Sequence, residues 1–334
     1  MVLRPVFHIW GAGLKSSFPG YYRPTADEFS ELWDKALFAL DANVLLNIYG
    51  YSTPTRNTLL TLLEKIGERL WIPHQFASEY QRNRARAILD QVGHYVAVRQ
   101  ELEAVLNQHF RAKHKHPYIR KSSQTAFESI CQELAKGQTE HERLLTEDPY
   151  FSKVSKLLEG RVGPPSSDEQ MAAICTTARE RYAKRIPPGY ADDKKQEPDR
   201  FGDYIGWRQI LDYGAEKKAA VILVTDDRKE DWWQTERDRI IGPRPELVAE
   251  YQILCKQPFY MYSLEQFMRR AKEYLGTPVA PAVIEEVRER TQAQTTLGGE
   301  KEDPKLEASG VPIDSSSPER DTKRSEPGAS EKSE

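Results

Sequence analysis

Apolar residues along the chain follow two patterns. Unbroken runs occupy residues 36–40 (ALFAL), 69–72 (RLWI), 219–225 (AAVILVT) and 258–263 (PFYMYS), and runs of this kind predict buried parallel strands. The third is β-branched and free of charge, which predicts a central strand covered on both faces. Between the runs, apolar positions recur every three or four residues and predict helices. One starts at a Thr25 cap and runs through Leu32 and Trp33, and a second carries Leu59, Leu60, Leu62 and Leu63. A long helix follows over 74–110, with Phe76, Tyr80, Ala87, Ile88, Val92, Tyr95 and Val96 as its stripe. Further helices are expected over 123–145, 150–158, 167–182, 201–214 and 264–275, with a turn and short helix over 242–251. Strands separated by helices predict an α/β fold around an open parallel sheet.

Residues 97–186 are helical throughout and too long for a simple crossover between strands, so they read as an insertion packed on residues 31–276, suited to substrate selection or to a protein partner. Residues 1–30 read as an irregular arm rich in Gly, Pro and aromatics. Trp232 and Trp233 are expected to pack a loop back on the core. From 277 to 334 the apolar content collapses, and such a segment cannot bury enough surface to offset its ordering entropy, so a disordered tail is expected.

Composition narrows the class. Charged residues make up 30% and hydrophobic residues 39% of the 334 positions, and neither a membrane span nor a signal peptide stands out, so a cytoplasmic location is the default expectation. Cys131, Cys175 and Cys255 are scattered and odd in number, which argues against a disulfide framework or a thiolate zinc site. From Thr277 onward 13 acidic residues face 8 basic ones, a net −5 against −3 for the whole, so the first 276 residues carry about +2. Any nucleic-acid surface must therefore be local. Arg82, Arg84 and Arg86, and the basic stretch 113–121, are the candidates for backbone contact; the plain alternative is a solvated helix face.

The candidate chemistry lies with acids at element ends. Asp41 directly follows the first strand, and the carboxyl ends of strands are where open α/β sheets bind ligands. Taken alone it would read as a helix cap. Glu79 sits two turns into the long helix, Asp203 in the first turn of a later one, and Asp226 and Asp227 end the strongest strand. Brought together, four carboxylates repel unless a cation compensates them, and hard oxygen donors suit Mg²⁺ or Mn²⁺. Metal-assisted phosphodiester hydrolysis is the chemistry that follows. Asp192 and Asp193, in the charged loop over 187–203, are additional acids.

The runs FALDANVLLNIY, WIPHQFASEYQRNR, RFGDYIGWRQIL and VILVTDDRKEDWW, in that order, resemble the PIN-domain nucleases, closest to a bacterial PIN-like subgroup with a long helical insertion. The resemblance spans about 15–275 and implies a Rossmann-like sheet and a Mg²⁺- or Mn²⁺-dependent endoribonuclease acting mostly on single-stranded RNA. It assigns Asp41, Glu79 and Asp203 as the first three acids and Asp227, two residues past Thr225, as the fourth, with Asp226 as its understudy. Thr225 would orient a carboxylate or a metal-bound water, and Asn43, which opens the helix after Asp41, is a further supporting residue. Bacterial defence or stress response is the setting that goes with it. Two other classes stay open: a non-catalytic scaffold binding RNA or protein, or as a homo-oligomer, and the same hydrolysis directed at DNA.

Overall fold

Four strands, β2 (Leu70–Trp71), β1 (Leu37–Leu40), β3 (Val221–Thr225) and β6 (Phe259–Ser263), lie side by side in that order, all parallel. The computed structural model describes residues 13–111, 121–192, 194–197, 199–237 and 239–300. Residues 1–12 of the expected arm, all of the basic stretch except Lys121, Asp193, and residues 301–334 of the expected tail lie outside the described residues.

Every residue of β3 is buried, as its unbroken apolar run requires of a strand covered on both faces. The order places β1 between β2 and β3, so the chain leaves β1 toward one edge and returns from the other side. The carboxyl ends of β1 and β3 therefore frame the crevice where such sheets switch direction. Leu40 pairs with Val224, which sets Asp41 level with Thr225.

Helices cover the sheet. After the short α1 (Leu14–Ser17), α2 (Ala26–Lys35) starts with a capping box, Thr25 accepting from the Glu28 amide while the Glu28 side chain accepts from that of Thr25. It seats Trp33 against Phe38 and Phe267, the latter on α11 (Leu264–Leu275). α3 (Ala42–Leu46) and α4 (Thr53–Ile66) follow β1, and α5 (His74–Val105) follows β2. α6 (Lys121–Arg143) runs alongside α5, with Gly137 giving room for the Tyr95 ring. α7 (Pro149–Leu157) and α8 (Asp168–Ala183) complete the block between β2 and α9 (Gly202–Lys217). Val154, Leu158, Ala178 and Tyr182 belong to the main core, so the helical block is packed on the sheet domain. It also guards the sheet's edge: the Ile72 amide donates to Arg161 O and the Gly163 amide to Ile72 O, an added parallel bridge beside β2.

The structure differs from the sequence expectation in two places. The tryptophan loop contains an antiparallel hairpin, β4 (Trp233–Glu236) and β5 (Arg239–Pro243), whose short strands carry no apolar run longer than Ile240–Ile241. It leads into α10 (Pro245–Cys255). The expected disorder does not begin at 277, because α12 (Pro281–Glu300) is helical and buries Val283 and Val287 in the main core. Glu286 accepts from the Ser52 amide, Ser52 Oγ and Thr55 Oγ1 at 2.5–2.6 Å, closing the N-terminus of α4, and Arg290 donates to Gly50 O.

Candidate metal and active centre

Local geometry decides which acids meet. The chain leaves β3 at Thr225 and the two acids that follow part company: the Asp227 amide donates to Thr225 Oγ1, while Asp226 takes another course. Asp226 is accordingly turned away into its own buried nest, accepting from Asn47 Nδ2 at 2.8 Å, the Leu264 amide at 3.2 Å and Tyr51 OH at 3.5 Å. Its expectation as a metal ligand is thus corrected: the carboxylate is fully engaged elsewhere, and burial raises its pKa despite the donors that lower it.

Asp41 is fixed from two directions. Thr225 Oγ1 donates to its Oδ2 at 2.6 Å and Asn43 Nδ2 donates to the same oxygen at 2.7 Å. Asn43 Oδ1 in turn accepts from the Asp226 amide at 2.9 Å, and Thr225 Oγ1 accepts from the Asp227 amide at 2.9 Å. The strand ends and the start of α3 are thereby tied into one frame. Burial pushes the Asp41 carboxyl up to about 8, the Thr225 hydroxyl works against it, and Asp203, Asp227 and Glu79 add to the rise.

Glu79 reaches the same region from α5, its Oε1 accepting from Gln75 Nε2 at 2.6 Å. It passes so close to α9 that a Cβ on Gly202 would stand 2.6 Å from Glu79 Oε1. Burial, then Asp203, raise the Glu79 carboxyl, with the Gln75 bond opposing. Asp203, one residue on in the first turn of α9, is raised by burial and by Asp227 and Asp192, against the pull of a nearby lysine.

That lysine is Lys229, which the acid pattern alone does not reveal. Its Nζ lies 2.9 Å from Asp227 Oδ2, 3.0 Å from Asp192 Oδ1 and 3.2 Å from Asp203 Oδ2. Its own amide donates to Asp227 Oδ1 at 2.8 Å, a tight turn that folds the side chain back on the acid two residues before it. Burial alone would lower the pKa of this ammonium, and the three carboxylates more than reverse that, so it stays charged. Asp231, two residues further, is fully buried and receives the amides of Gly189 at 2.8 Å and Ala191 at 2.9 Å, pinning the loop that presents Asp192. The repeat of Asp227, Lys229 and Asp231 at every second position is the one sequence signal that could have drawn attention to the lysine.

The site therefore gathers Asp41, Glu79, Asp203 and Asp227 with Asp192 added, Thr225 and Asn43 supporting, and Asp226 excluded. Among the described residues no group of three or more His, Cys, Asp or Glu is arranged to hold a metal ion as it stands. Three carboxylates converge on an ammonium instead, and that bound cation is what tests the fit: the donors are hard oxygens and the pocket accepts positive charge at its centre.

The basic candidates separate. Arg84 turns inward, donating to Asp148 Oδ2 at 2.7 Å and stacking 4.6 Å over the Phe151 ring, so it is withdrawn as a nucleic-acid contact. Arg82 is exposed and pairs with Asp199 at 3.3 Å, and Arg86 is exposed. Among the described residues no helix is long and apolar enough to cross a membrane.

No curated protein and no solved structure matches the chain. A family model described as PIN-like domain matches residues 37–247, well over half of the sequence, and takes in β1 to the start of α10 and every acid of the site. The chain belongs to the PIN-like domain family.

Proposed function

We propose that the protein is a Mg²⁺- or Mn²⁺-dependent nuclease that hydrolyses phosphodiesters of single-stranded RNA. The observation that carries this reading is the gathering of buried Asp41 with the half-buried Glu79, Asp203 and Asp227 at the switch point of the sheet, on a chain of a family whose members are generally nucleases. These four acids would hold the ion, which when bound supplies Lewis-acid polarisation of the phosphate and of the attacking water. Thr225 and Asn43 hold the Asp41 carboxylate in one orientation, so little reorganisation is left for the moment of binding. With its carboxyl raised to about 8, Asp41 must give up a proton when a cation takes its place beside it. Arg82 and Arg86, on the exposed face of α5, are the candidates to meet the RNA backbone. A cytoplasmic setting, in bacterial defence or stress response, belongs to the same proposal, and the three cysteines are free.

The test is cleavage of matched RNA and single-stranded DNA with Mg²⁺ or Mn²⁺ by the protein and by Asp41→Asn. The expected result is RNA cleavage that falls by about a hundredfold or more in the variant while its circular dichroism is unchanged. Equal cutting by both proteins would overturn the assignment, and preferential cutting of DNA would redirect it.

A second reading, a non-catalytic scaffold that binds RNA or protein through the helical block, draws on one observation. The Lys229 ammonium already neutralises part of the acid cluster without a metal. Mn²⁺ binding that depends on Asp41 and Asp203 would exclude it.

A further inference from the structure

Two of the acids, Glu79 and Asp203, sit on α5 and α9, and these helices meet along faces built for close approach. On α9, Gly202, Gly206 and Gln209 are spaced for one helix face. A Cβ on Gly206 would run into the Phe76 ring of α5, and one on Gly202 would stand 2.6 Å from Glu79 Oε1 and 3.4 Å from Gln75 Nε2. Without side chains at those two positions, Gln75, Phe76 and Glu79 can lie directly against α9.

Gln209 fixes the start of α5. Its side chain is buried, and its Oε1 accepts from the Gln75 amide at 2.9 Å, satisfying one of the amides that a helix leaves free in its first turn. Pro73, at the cap position, makes no side-chain bond of its own to that turn. One turn further along, Gln75 Nε2 donates to Glu79 Oε1 at 2.6 Å. A hydrogen-bonded path therefore runs from α9, through the first turn of α5, to the Glu79 carboxylate.

Gln and Glu four residues apart often pair on helix surfaces, and α6 has two such pairs, Gln124 with Glu128 at 3.0 Å and Gln138 with Glu142 at 2.8 Å. Gln75 differs in that a second helix holds its backbone and Gly202 lies against its side chain. Its amide is also neutral. Thr225 and Asn43 grip Asp41 in the same manner, through one oxygen and with uncharged donors, whereas Asp192, Asp203 and Asp227 share the Lys229 ammonium. A neutral donor orients a carboxylate without cancelling its charge.

We propose that Gln75 is a positioning residue of the acid centre: anchored to α9 by Gln209, its side-chain amide sets the direction in which Glu79 presents its carboxylate. The acid of α5 is thereby tied to the helix that carries Asp203. This rests on the nuclease reading above and deepens it.

The first measurement uses the full-length protein in chelator, so that neither metal nor turnover enters. The side-chain amide of Gln75, assigned by heteronuclear NMR from its own backbone amide, is expected to shift in Glu79→Ala and in Gln209→Leu. A resonance that stays in place in Glu79→Ala would overturn the proposal, whether or not any Gln75 variant folds. The second measurement is RNA cleavage at sub-saturating Mn²⁺ by the wild type, Gln75→Met, Glu79→Asp and the double variant. Methionine keeps the length of glutamine and removes the donor. Gln75→Met is expected to slow the wild type about tenfold and to change nothing in Glu79→Asp, whose shorter side chain withdraws the carboxylate from the amide. An unchanged rate in Gln75→Met would overturn the proposal. So would a further tenfold loss in the double variant, since a residue that only supports the fold slows both backgrounds alike. Cleavage by the wild type that does not depend on Asp41 would instead bring down the nuclease reading, and this inference with it.

Discussion

At the scale of single residues, Asp41 shows how one side chain is held in an unfavourable state for use. Its folded pKa of about 8 lies far above the 3.8 of an ordinary aspartate, chiefly because it is buried. A carboxyl raised on folding keeps its proton where the unfolded chain has lost it. Its stabilising effect is therefore complete below about 3.8 and is lost as pH rises through about 8. In the absence of metal, Asp41→Asn should consequently melt above the wild type by about 5 °C at pH 9, with the gap closing toward pH 4. A gap that does not change with pH, measured by thermal denaturation in chelator, would contradict this account of Asp41. Asp41, Asp203 and Asp227 were legible because each follows or opens an element whose apolar pattern is clear. Lys229 was not, because its significance lies in partners up to 37 positions away along the chain. Asp226 stands next to Asp227 in the sequence as its understudy, and the folded chain parts them by giving Asp226 its own donors, Asn47, Tyr51 and the Leu264 amide.

At the scale of elements, the site depends on how closely α5 and α9 approach. Gly202 lets the Glu79 carboxylate lie against the first turn of α9, where an added methyl would stand 2.6 Å from it. Gly202→Ala is expected to leave the fold standing, to displace Glu79 and to raise the Mn²⁺ concentration needed for half-maximal cleavage about tenfold. Unchanged metal dependence would show that Glu79 is dispensable. Arg84 makes the complementary case. It lies with Tyr49 and Tyr80 around Asp148, which also caps α7 through the amides of Tyr150 and Phe151 at 2.9 and 2.8 Å. Asp148→Ala should cost about 2 kcal/mol in denaturant unfolding, since it strips a cap and leaves a partly buried guanidinium without its carboxylate. A loss below about 1 kcal/mol would mean that this network is not holding the helical block to the core. Long apolar runs made β1, β3 and β6 readable. The hairpin β4–β5 does not show in the sequence because its strands are short and β5 carries only the adjacent pair Ile240 and Ile241 inside it, so neither an unbroken run nor an alternation emerges.

At the scale of the whole molecule, the sheet order creates the crevice and the surrounding helices close it. α12 belongs to that closure. Its Val283 and Val287 are spaced for one helix face and buried, and its Glu286 satisfies the exposed start of α4. A chain ending at residue 280 is therefore expected to lose about 2 kcal/mol or more of stability, seen as a fall of several degrees in Tm. An unchanged Tm would mean that α12 does not hold to the domain. The sequence pattern concealed this helix because its few apolar residues are averaged into a long charged stretch, whereas packing depends only on which residues share a face. The alternation of strand and helix made the α/β sheet legible from the start, while the distribution of charge within its crevice required the folded chain.

Binding of a divalent ion by these acids is what the proposed chemistry requires. The most direct measurement is anomalous diffraction at the manganese edge from crystals of the protein grown with Mn²⁺. Manganese enclosed by Asp41, Glu79, Asp203 and Asp227 is the result predicted. Crystals with no manganese at that position, while Lys229 alone bridges the acids, would contradict it.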